Sequence, residues 1–363
     1  MISYLKISGF KSVKETELDL LPVNILIGSN GSGKSNIISF FKLVHALFNQ
    51  RLQRFVVEEK TDNLLHFGRK NTEKLYGKLI FTEQKDNNAY WFKLAQTKTG
   101  GLFIEKESAG YNVKLEDDDW NYFNFYDREE SKIPDLDGYR YKYLRNYLSN
   151  IQIYHFHDTS STSFLRKECD INDDAFLKSD GRNLPAFLYS LQVDEPIILK
   201  RIVKTIQSVA PYIDHFILEP SRQNKNEIEL RWVDTGDLNT NFSAYQLSDG
   251  TLRFIALTTV LMQPNPPGVI IIDEPELGLH PFAITKLAGM INSIADKGTQ
   301  VIIATQSADL VNHFDAENII TVDQENGASK FKRLVQEELS EWLNDYSVGD
   351  LWQRNILQGG QPK

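Results

Sequence analysis

A glycine-rich loop between an apolar run and an amphipathic segment constrains this chain more than any other feature. Residues 28–35 read Gly-Ser-Asn-Gly-Ser-Gly-Lys-Ser and match the phosphate-binding pattern G-x-x-x-x-G-K-[ST] in full. The mainly apolar residues 24–27 predict a buried strand before the loop, and residues 36–44 carry apolar side chains at helical spacing after it. Glycine lets the loop turn its N–H groups toward phosphate oxygens, and the dipole of the following helix favours an anion there. The sequence therefore predicts a strand–loop–helix unit that binds the phosphates of a nucleotide.

The loop supplies the first candidate site residues. Lys34 is predicted to reach the β- and γ-phosphates of ATP, and the Ser35 hydroxyl is predicted to hold Mg²⁺. The rest of the predicted nucleotide-binding set in this segment is Asn30, Gly31, Ser32, Gly33 and Asn36. ATP and Mg²⁺ are therefore the expected substrate and cofactor.

A second apolar run ends in two carboxylates. Residues 269–272 read Val-Ile-Ile-Ile, the continuous aliphatic pattern of a strand buried on both faces, and Asp273 and Glu274 follow directly. Asp273 is predicted to bind Mg²⁺, directly or through water, and Glu274 is predicted to polarise an attacking water molecule. A pair of solvated loop carboxylates is the alternative, and the phosphate-binding loop upstream disfavours it.

A short polar motif precedes this acidic strand. Residues 247–251 read Leu-Ser-Asp-Gly-Thr, and Ser248 is a favourable N-cap because residues 252–260 have helical apolar spacing. In its order with the other two motifs, the segment resembles the signature of ABC ATPases, usually Leu-Ser-Gly-Gly-Gln. Asp249 stands at the first glycine and Thr251 at the glutamine. The resemblance implies that Ser248 and Gly250 contact the γ-phosphate held by a second copy of the chain.

Further segments narrow the resemblance to SMC-like, RecF-like and OLD-like bacterial ATPases without a coiled coil. Residues 1–20 resemble the first strand and turn of these proteins, which implies that Lys11 approaches the phosphates; an ordinary surface lysine is the equal alternative. Residues 274–281 resemble the Walker B and D-loop segment of OLD-type ATPases. Residues 301–307 resemble the next strand and switch, with Gln306 where many relatives carry histidine. Gln306 is accordingly expected to hydrogen-bond the water or the γ-phosphate.

The order of the motifs predicts an α/β fold, a P-loop NTPase of the ABC-ATPase head type with a mixed sheet core, an antiparallel β-layer and a helical insertion. The expected parts are an ATP-core lobe with the β-layer (1–158), a helical segment (159–212), a second lobe with signature, Walker B and switch (213–335), and a helical tail (336–363). The β-layer rests on the alternation of apolar and polar residues in 74–82, 89–96 and 102–107, which end at Asp-Asn or Gly-Gly turns.

The remaining segments predict shorter elements. We expect a helix over 139–150, a strand over 151–157, a mainly helical region over 176–209 that Pro185 and Pro196 interrupt, and strands over 213–218 and 227–233. The segment His157-Asp158-Thr159 lies where ABC relatives have their Q-loop glutamine, and a Q-loop role for His157 or Asp158 stays open. A metal pair of His155 and His157 is a further alternative to two ordinary histidines.

Composition and charge limit the function classes. The formal charge of −9 disfavours a wholly basic protein that coats DNA, but it leaves a local basic groove open. Cys169 is the only cysteine, which excludes an internal disulfide. The sequence has no apolar run of membrane-spanning length and Met1 leads straight into a strand, so we expect a cytoplasmic protein without a signal peptide. The acidic run Asp117–Asp119 is interpreted as a solvated loop, with a partner-binding surface as the alternative.

The resemblance implies a switch in which ATP holds two copies together as a homodimer and hydrolysis releases them. One hypothesis is a regulator of a separately encoded effector in bacterial antiviral defence against phage. The alternative is a RecF-like ATPase that binds DNA during repair, while a transporter subunit fits the Gln306 switch poorly. Residues 334–363 are too few for the Toprim nuclease domain of OLD enzymes, so we expect no nuclease in this chain.

Overall fold

The computed structural model describes residues 1–83, 86–111 and 123–357. The strands are β1 (Ile2–Phe10), β2 (Val13–Asp19), β3 (Val23–Ile27), β4 (Lys74–Glu83), β5 (Asp86–Gln96), β6 (Leu102–Tyr111), β7 (Phe123–Arg128), β8 (Ile151–Tyr154), β9 (Cys169–Asp170), β10 (Ile213–Ile217), β11 (Glu227–Ile228), β12 (Arg231–Asp234), β13 (Asp237–Ser243), β14 (Val269–Asp273), β15 (Gln300–Thr305), β16 (Ile319–Glu325) and β17 (Ala328–Arg333). The helices are α1 (Lys34–Phe48), α2 (Leu52–Glu59), α3 (Thr61–Leu64), α4 (Tyr139–Ser149), α5 (Leu184–Asp194), α6 (Pro196–Val209), α7 (Asp249–Met262), α8 (Pro281–Ala295), α9 (Ala308–Val311), α10 (Gln336–Leu339) and α11 (Val348–Gln353). The acidic run Asp117–Asp119 lies outside the described residues.

The chain divides into two compact units. Unit 1 consists of Met1–Ile153, Pro267–Ile271 and Gly298–Lys363, and unit 2 consists of Tyr154–Pro266 and Ile272–Lys297. Among the described residues, no helix combines the length and the apolar character needed to cross a membrane.

The first sheet is antiparallel and has the strand order β2-β1-β4-β5-β6-β7. This sheet is the predicted β-layer, and its meander β4–β5–β6 is confirmed. The predicted Asp-Asn turn is wrong, because Asp86 already belongs to β5 and pairs with Glu83 of β4. The Gly-Gly turn is correct, since Thr97 N–H donates to the carbonyl of Gly101 at 2.9 Å.

The second sheet is mixed and has the strand order β17-β16-β3-β15-β14-β8. Strands β15 and β16 both run parallel to β3, while β17 pairs antiparallel with β16. Every residue of β3 is buried, as are the first four residues of β14, which matches their nearly unbroken aliphatic sequences. The strand that leads into the glycine-rich loop and the strand that ends in Asp273 therefore belong to one sheet, separated by β15.

Helix α1 packs its apolar side on the core of unit 1. Phe40 is fully buried, and its ring lies edge-on to Phe10 at 5.9 Å and stacks on Phe92 at the same centroid distance. A Cβ at Gly77 of β4 would lie 2.6 Å from the rings of both Phe40 and Phe92. The absence of a side chain at this position lets the β-layer approach the helix that follows the glycine-rich loop.

Unit 2 contains helices α5 to α8 and two small antiparallel sheets, β10-β12-β13 and β11-β9. The predicted helical region over 176–209 begins only at Leu184. The buried side chain of Asn183 explains the late start, because it bonds the backbone of residues 173, 176 and 178 and so holds this segment as a loop. The predicted break near Pro196 is confirmed, since α5 ends at Asp194 and α6 begins at Pro196. The predicted break near Pro185 is wrong, because Pro185 lies in the first turn of α5, where proline is tolerated.

Two predicted strands are shorter than expected. The predicted strand over 151–157 ends at Tyr154, because the carbonyls of Phe156 and His157 accept hydrogen bonds from Arg253 and do not extend a strand ladder. The predicted strand over 227–233 is divided into β11 and β12, which belong to different sheets. Both differences arise from long-range contacts that alternation of apolar residues does not record.

Candidate functional site

The glycine-rich loop connects β3 to α1 with a backbone that requires glycine at two points. Gly33, directly before α1, has φ of 108°, a conformation that side chains rarely adopt. A Cβ there would also lie 2.0 Å from the Ser329 Oγ. A Cβ on Gly28 would lie 2.3 Å from the carbonyl oxygen of Val322 on β16. A side chain at Gly28 would therefore displace the backbone of β16, and a side chain at Gly33 would displace the side chain of Ser329.

A group of polar side chains holds the loop from outside. Ser329 donates its hydroxyl proton to the carbonyl of Ser32 at 2.6 Å, and its own N–H donates to the carbonyl of Ser12 at 2.7 Å. The amide of Asn36 donates to Ser12 Oγ at 2.5 Å. Asn36, predicted to bind nucleotide, thus contributes its side chain to this support. Neither serine was predicted: Ser12 lies beside Lys11 in the segment 1–20 but was not singled out, and Ser329 lies in none of the motifs.

Lys34 and Ser32 form the polar lining of the loop. The Lys34 Nζ donates to the carbonyls of Gly28 at 2.6 Å and Ser29 at 2.9 Å, and the residue is only 5% exposed. The buried Ser32 Oγ has no hydrogen-bond partner within the described part of the chain. A buried ammonium, an unsatisfied hydroxyl and a backbone without room for a side chain at Gly28 and Gly33 suit a phosphate group. These residues therefore fit the triphosphate that the loop sequence predicts.

Lys11 lies in the turn between β1 and β2 with a left-handed backbone, φ 48°. Its Nζ lies 3.2 Å from Ser39 Oγ on α1 and 3.2 Å from a carboxylate oxygen of Glu59. Lys11 also lines a cavity of about 900 Å³ in unit 1. Three further basic side chains, Arg69, Lys70 and Lys98, line the same cavity.

Gln306 directly follows β15 and is exposed. The next residue, Ser307, caps α9 by accepting a hydrogen bond from Leu310 N–H at 3.1 Å. Thr305 Oγ1 accepts from Ser307 N–H at 3.0 Å and tightens the same turn. Strand, turn and cap together fix the backbone from which the Gln306 side chain projects.

The acidic pair lies at the end of β14. Asp273 is its last residue and Glu274 follows with φ of 40°, a left-handed backbone that is unusual for a residue other than glycine. Strained backbone of this kind is concentrated at functional sites, where it aims a side chain. The Nε2 of His157 lies 2.8 Å from the carbonyl oxygen of Asp273, so this nitrogen donates. This hydrogen bond joins residues 157–159, the segment that corresponds to the Q-loop of ABC relatives, to the end of β14 within unit 2.

The metal-pair alternative for His155 and His157 gains no support. Their rings stack at 4.4 Å with an angle of 15° between the planes. Across the described ranges, no three His, Cys, Asp or Glu residues are grouped as metal ligands.

The signature segment begins helix α7 as predicted. Ser248 is the N-cap, and its Oγ accepts from Thr251 N–H at 3.1 Å while the residue stays exposed. Two buried arginines, Arg166 and Arg253, hold this segment, and neither was singled out in the sequence. Arg253 on α7 donates to the carbonyls of Phe156 and His157 at 2.9 and 3.0 Å. Burial lowers the pKa of Arg253, and the carboxylates of Asp249 and Glu276 oppose that shift.

Gly250 is a contact point between the signature helix and the turn after Glu274. A Cβ on Gly250 would lie 2.3 Å from the carbonyl oxygen of Gly278. Gly278 itself has φ of 75°, so both sides of the contact depend on glycine. The close approach explains why glycine is needed at this signature position, independently of any ligand.

Gly250→Ala is expected to lower the free energy of unfolding by about 1–3 kcal/mol, because the added methyl group must displace the backbone at Gly278. Gly289→Ala is the matched control, since a Cβ at Gly289 on α8 meets no atom within 4 Å and alanine favours a helix. Urea unfolding of both variants measures the difference. Equal urea midpoints for Gly250→Ala and Gly289→Ala would show that the turn at Gly278 accommodates the methyl group without loss of stability.

Comparisons with known proteins agree with this geometry. The model of a family described as "AAA domain, putative AbiEii toxin, Type IV TA system" matches residues 23–312. The OLD nuclease of Thermus scotoductus is 23% identical over 357 residues, covering 90% of this chain and 63% of that protein. The Old nuclease of Escherichia phage P2 is 36% identical over 73 residues, covering 20% of this chain and 12% of that protein. The chain thus spans less than two thirds of the length of these two relatives.

Solved structures of SMC heads share the fold. An SMC head bound to the C-terminal winged-helix domain of ScpA superposes with a TM-score of 0.59 at 18% identity, covering 94% of this chain and 99% of that one. An SMC head with an extended coiled coil, bound to the C-terminal domain of ScpA from Pyrococcus furiosus, has a TM-score of 0.54 at 15% identity, covering 95% and 98%. The predicted α/β P-loop fold of ABC-head type is therefore confirmed.

The family match spans most of the chain and contains the glycine-rich loop, the signature helix and the acidic strand. The chain therefore belongs to this AAA family and has the P-loop fold of ABC-type heads, with SMC heads as its structural relatives and OLD nucleases among its sequence relatives.

Proposed function

We propose that this chain is an ATP-driven switch. Two copies associate face to face on ATP, hydrolysis separates them, and the change of state controls a separately encoded effector protein. The observation that carries the proposal is the glycine-rich loop, where the buried Lys34 ammonium, the unsatisfied Ser32 hydroxyl and the crowded glycines Gly28 and Gly33 form a phosphate cradle. Family membership supports ATP as the nucleotide.

The residues of the loop bind and orient the nucleotide. Lys34 exchanges its carbonyl partners for phosphate oxygens, and the Ser32 hydroxyl gains an acceptor. We assign Asn30, Gly31, Gly33 and Asn36 to the same nucleotide-binding segment, and Lys11 to a second basic contact. When bound, Mg²⁺ would supply charge neutralisation at the phosphates. Ser35 and Asp273 are the residues we propose to hold it.

Glu274 is the proposed catalytic residue. A carboxylate that directly follows the metal-binding aspartate can accept a proton from the attacking water, and the left-handed backbone at Glu274 directs its side chain away from the line of β14. Gln306 is proposed to hydrogen-bond the same water or the γ-phosphate from the end of β15. Both assignments derive from the position of each residue at a strand end.

The proposed association rests on Ser248. The serine caps α7 and remains exposed, and its hydroxyl bonds Thr251 within the same chain. A helix N-terminus favours an anion, and a two-fold pair would give each Ser248 the ATP of the other copy. Gly250 keeps this helix start close to the turn at Gly278.

The controlled partner is proposed to be a protein. The two SMC heads that resemble this chain were each solved with a domain of ScpA bound, so a head of this fold accommodates a protein partner in those cases. We propose that the effector acts in defence against phage; the family description, which names a putative toxin of a type IV TA system, is compatible with an effector of this kind. One observation favours the alternative of DNA binding: Lys11, Arg69, Lys70 and Lys98 line one cavity and would attract a phosphate backbone. The pairing of Lys11 with Glu59, the pairing of Arg69 with Asp62 and the net charge of −9 oppose it.

Lys34→Ala is expected to weaken ATP binding about 10- to 100-fold, since a hydrogen-bonded charged contact contributes about 1.5–3 kcal/mol. Lys42→Ala is the matched control, because Lys42 is an exposed lysine on the same helix α1. Equilibrium binding of a fluorescent ATP analogue and release of inorganic phosphate measure the two steps. Wild-type affinity for ATP and wild-type turnover in Lys34→Ala would contradict the assignment of the glycine-rich loop as the phosphate-binding site.

A further inference from the structure

A buried arginine in unit 2 organises the signature segment through contacts that no sequence motif predicts. Arg166 donates from Nη1 to the carbonyls of Ala244 at 2.5 Å and Leu247 at 3.1 Å. Its Nε donates to the carbonyl of Thr159 at 2.8 Å, and its Nη2 donates to a carboxylate oxygen of Asp249 at 2.7 Å. Its side chain is only 6% exposed. One guanidinium thus joins the chain before α7, the first residue of α7 and the segment at the Q-loop place.

Asp249 is an unexpected residue for a surface that meets ATP. It is the first residue of α7, next to Ser248, and its side chain is 65% exposed. A carboxylate at a helix N-terminus stabilises the helix, but it also cancels the positive potential that would attract a phosphate. A negative charge beside the proposed γ-phosphate contact would oppose the approach of a second copy that carries ATP.

Two arginines act on Asp249 within unit 2. Arg166 forms the direct ion pair, and Arg253 interacts with Asp249 electrostatically from the next turn of α7. Glu276 interacts with the same Arg253. Arg166 is thus the cation that contacts Asp249 directly, and it is held in place by three backbone carbonyls.

We propose that Arg166 is a positioning residue for the ATP-dependent contact between two copies: it neutralises Asp249 and fixes the loop that presents Ser248. The inference rests on the proposed function. It assigns to Arg166 two separable effects, the support of three carbonyls and the cancellation of one charge. The second effect predicts a specific dependence between positions 166 and 249.

The test is a double-mutant cycle in a Glu274→Gln background, which is expected to keep ATP bound. Arg166→Gln is expected to weaken ATP-dependent association at least about tenfold, because it leaves Asp249 unneutralised beside the incoming phosphate. Asp249→Asn alone should associate as tightly as the parent or more tightly. The double variant should recover most of the loss, to within about threefold of Asp249→Asn, since no charge is then left to neutralise.

Further measurements separate the neutralisation of Asp249 by Arg166 from the general support that Arg166 gives to the loop. Arg166→Lys retains the charge without the planar fork, so it should fall between the parent and Arg166→Gln. Affinity of a single copy for ATP, measured at low protein concentration, should stay unchanged in all variants. Thermal unfolding checks that the variants fold. Arg166→Gln and the double variant with Asp249→Asn lack the same hydrogen bonds to backbone carbonyls, so a folding defect alone would weaken association equally in both.

The inference would be overturned if the effects of the two substitutions on the affinity of association are additive. It would also be overturned if Arg166→Lys and Arg166→Gln associate with equal affinity. If Arg166→Gln does not fold, Arg166→Met with and without Asp249→Asn completes the same cycle, because methionine also removes the charge. A parent protein that fails to associate on ATP would contradict the proposed function instead, so the two failures are distinguishable.

Discussion

Glu274→Gln is expected to stop ATP turnover while leaving ATP bound. The substitution keeps the shape of the side chain and removes the group that accepts a proton from water, so phosphate release should fall about 10²- to 10⁴-fold. Nucleotide affinity should stay within about threefold of wild type, because the proposed phosphate contacts lie in the glycine-rich loop. Phosphate release and equilibrium ATP binding on the same preparation measure the two effects.

Asp296→Asn is the control for Glu274→Gln, since it neutralises an exposed acid at the end of α8 in the same unit. It should retain wild-type turnover. Rapid phosphate release by Glu274→Gln would show that another group activates the water, and loss of ATP binding would show that Glu274 supports the fold of the turn.

Ser248→Arg is expected to abolish ATP-dependent association and to reduce turnover about 100-fold, while single copies keep their affinity for ATP. Ser248 is exposed and caps α7, so a long side chain there would fill the space reserved for the phosphates of the second copy. Loss of the cap alone costs only about 1 kcal/mol of stability. Association measured by light scattering therefore distinguishes a missing contact from a weakened helix.

Ser208→Arg provides the matched comparison, because Ser208 is an exposed serine on α6 in the same unit. It should associate and hydrolyse as wild type does. If Ser248→Arg also associates and turns over normally, the shared site between two copies is wrong, and each copy hydrolyses ATP alone.

The local parts of the fold could be predicted because short patterns record them. The glycine-rich loop and its flanking β3 and α1 are contiguous in sequence, and the aliphatic run of β14 needs only its own composition to indicate a buried strand. The N-cap at Ser248 is equally local, since it depends on the residues that begin α7. Each of these elements agreed with the structure.

The supporting contacts could not be predicted, because they join residues that are distant in the chain. Arg166 bonds the carbonyls of Ala244 and Leu247, and Ser329 bonds the carbonyl of Ser32. No periodicity or motif marks such partners. The same reason explains the strand predicted over 151–157, which ends early since Arg253 occupies the carbonyls of residues 156 and 157.

The mass of Glu274→Gln in solution, with and without ATP and Mg²⁺, tests the central claim most directly. One chain has a mass of 41.7 kDa. The account predicts that this mass doubles when ATP is added, and that Lys34→Ala or Ser248→Arg in the same background stays at the mass of a single chain. An unchanged mass at saturating ATP, with nucleotide shown to be bound, would contradict an ATP-driven switch between two copies.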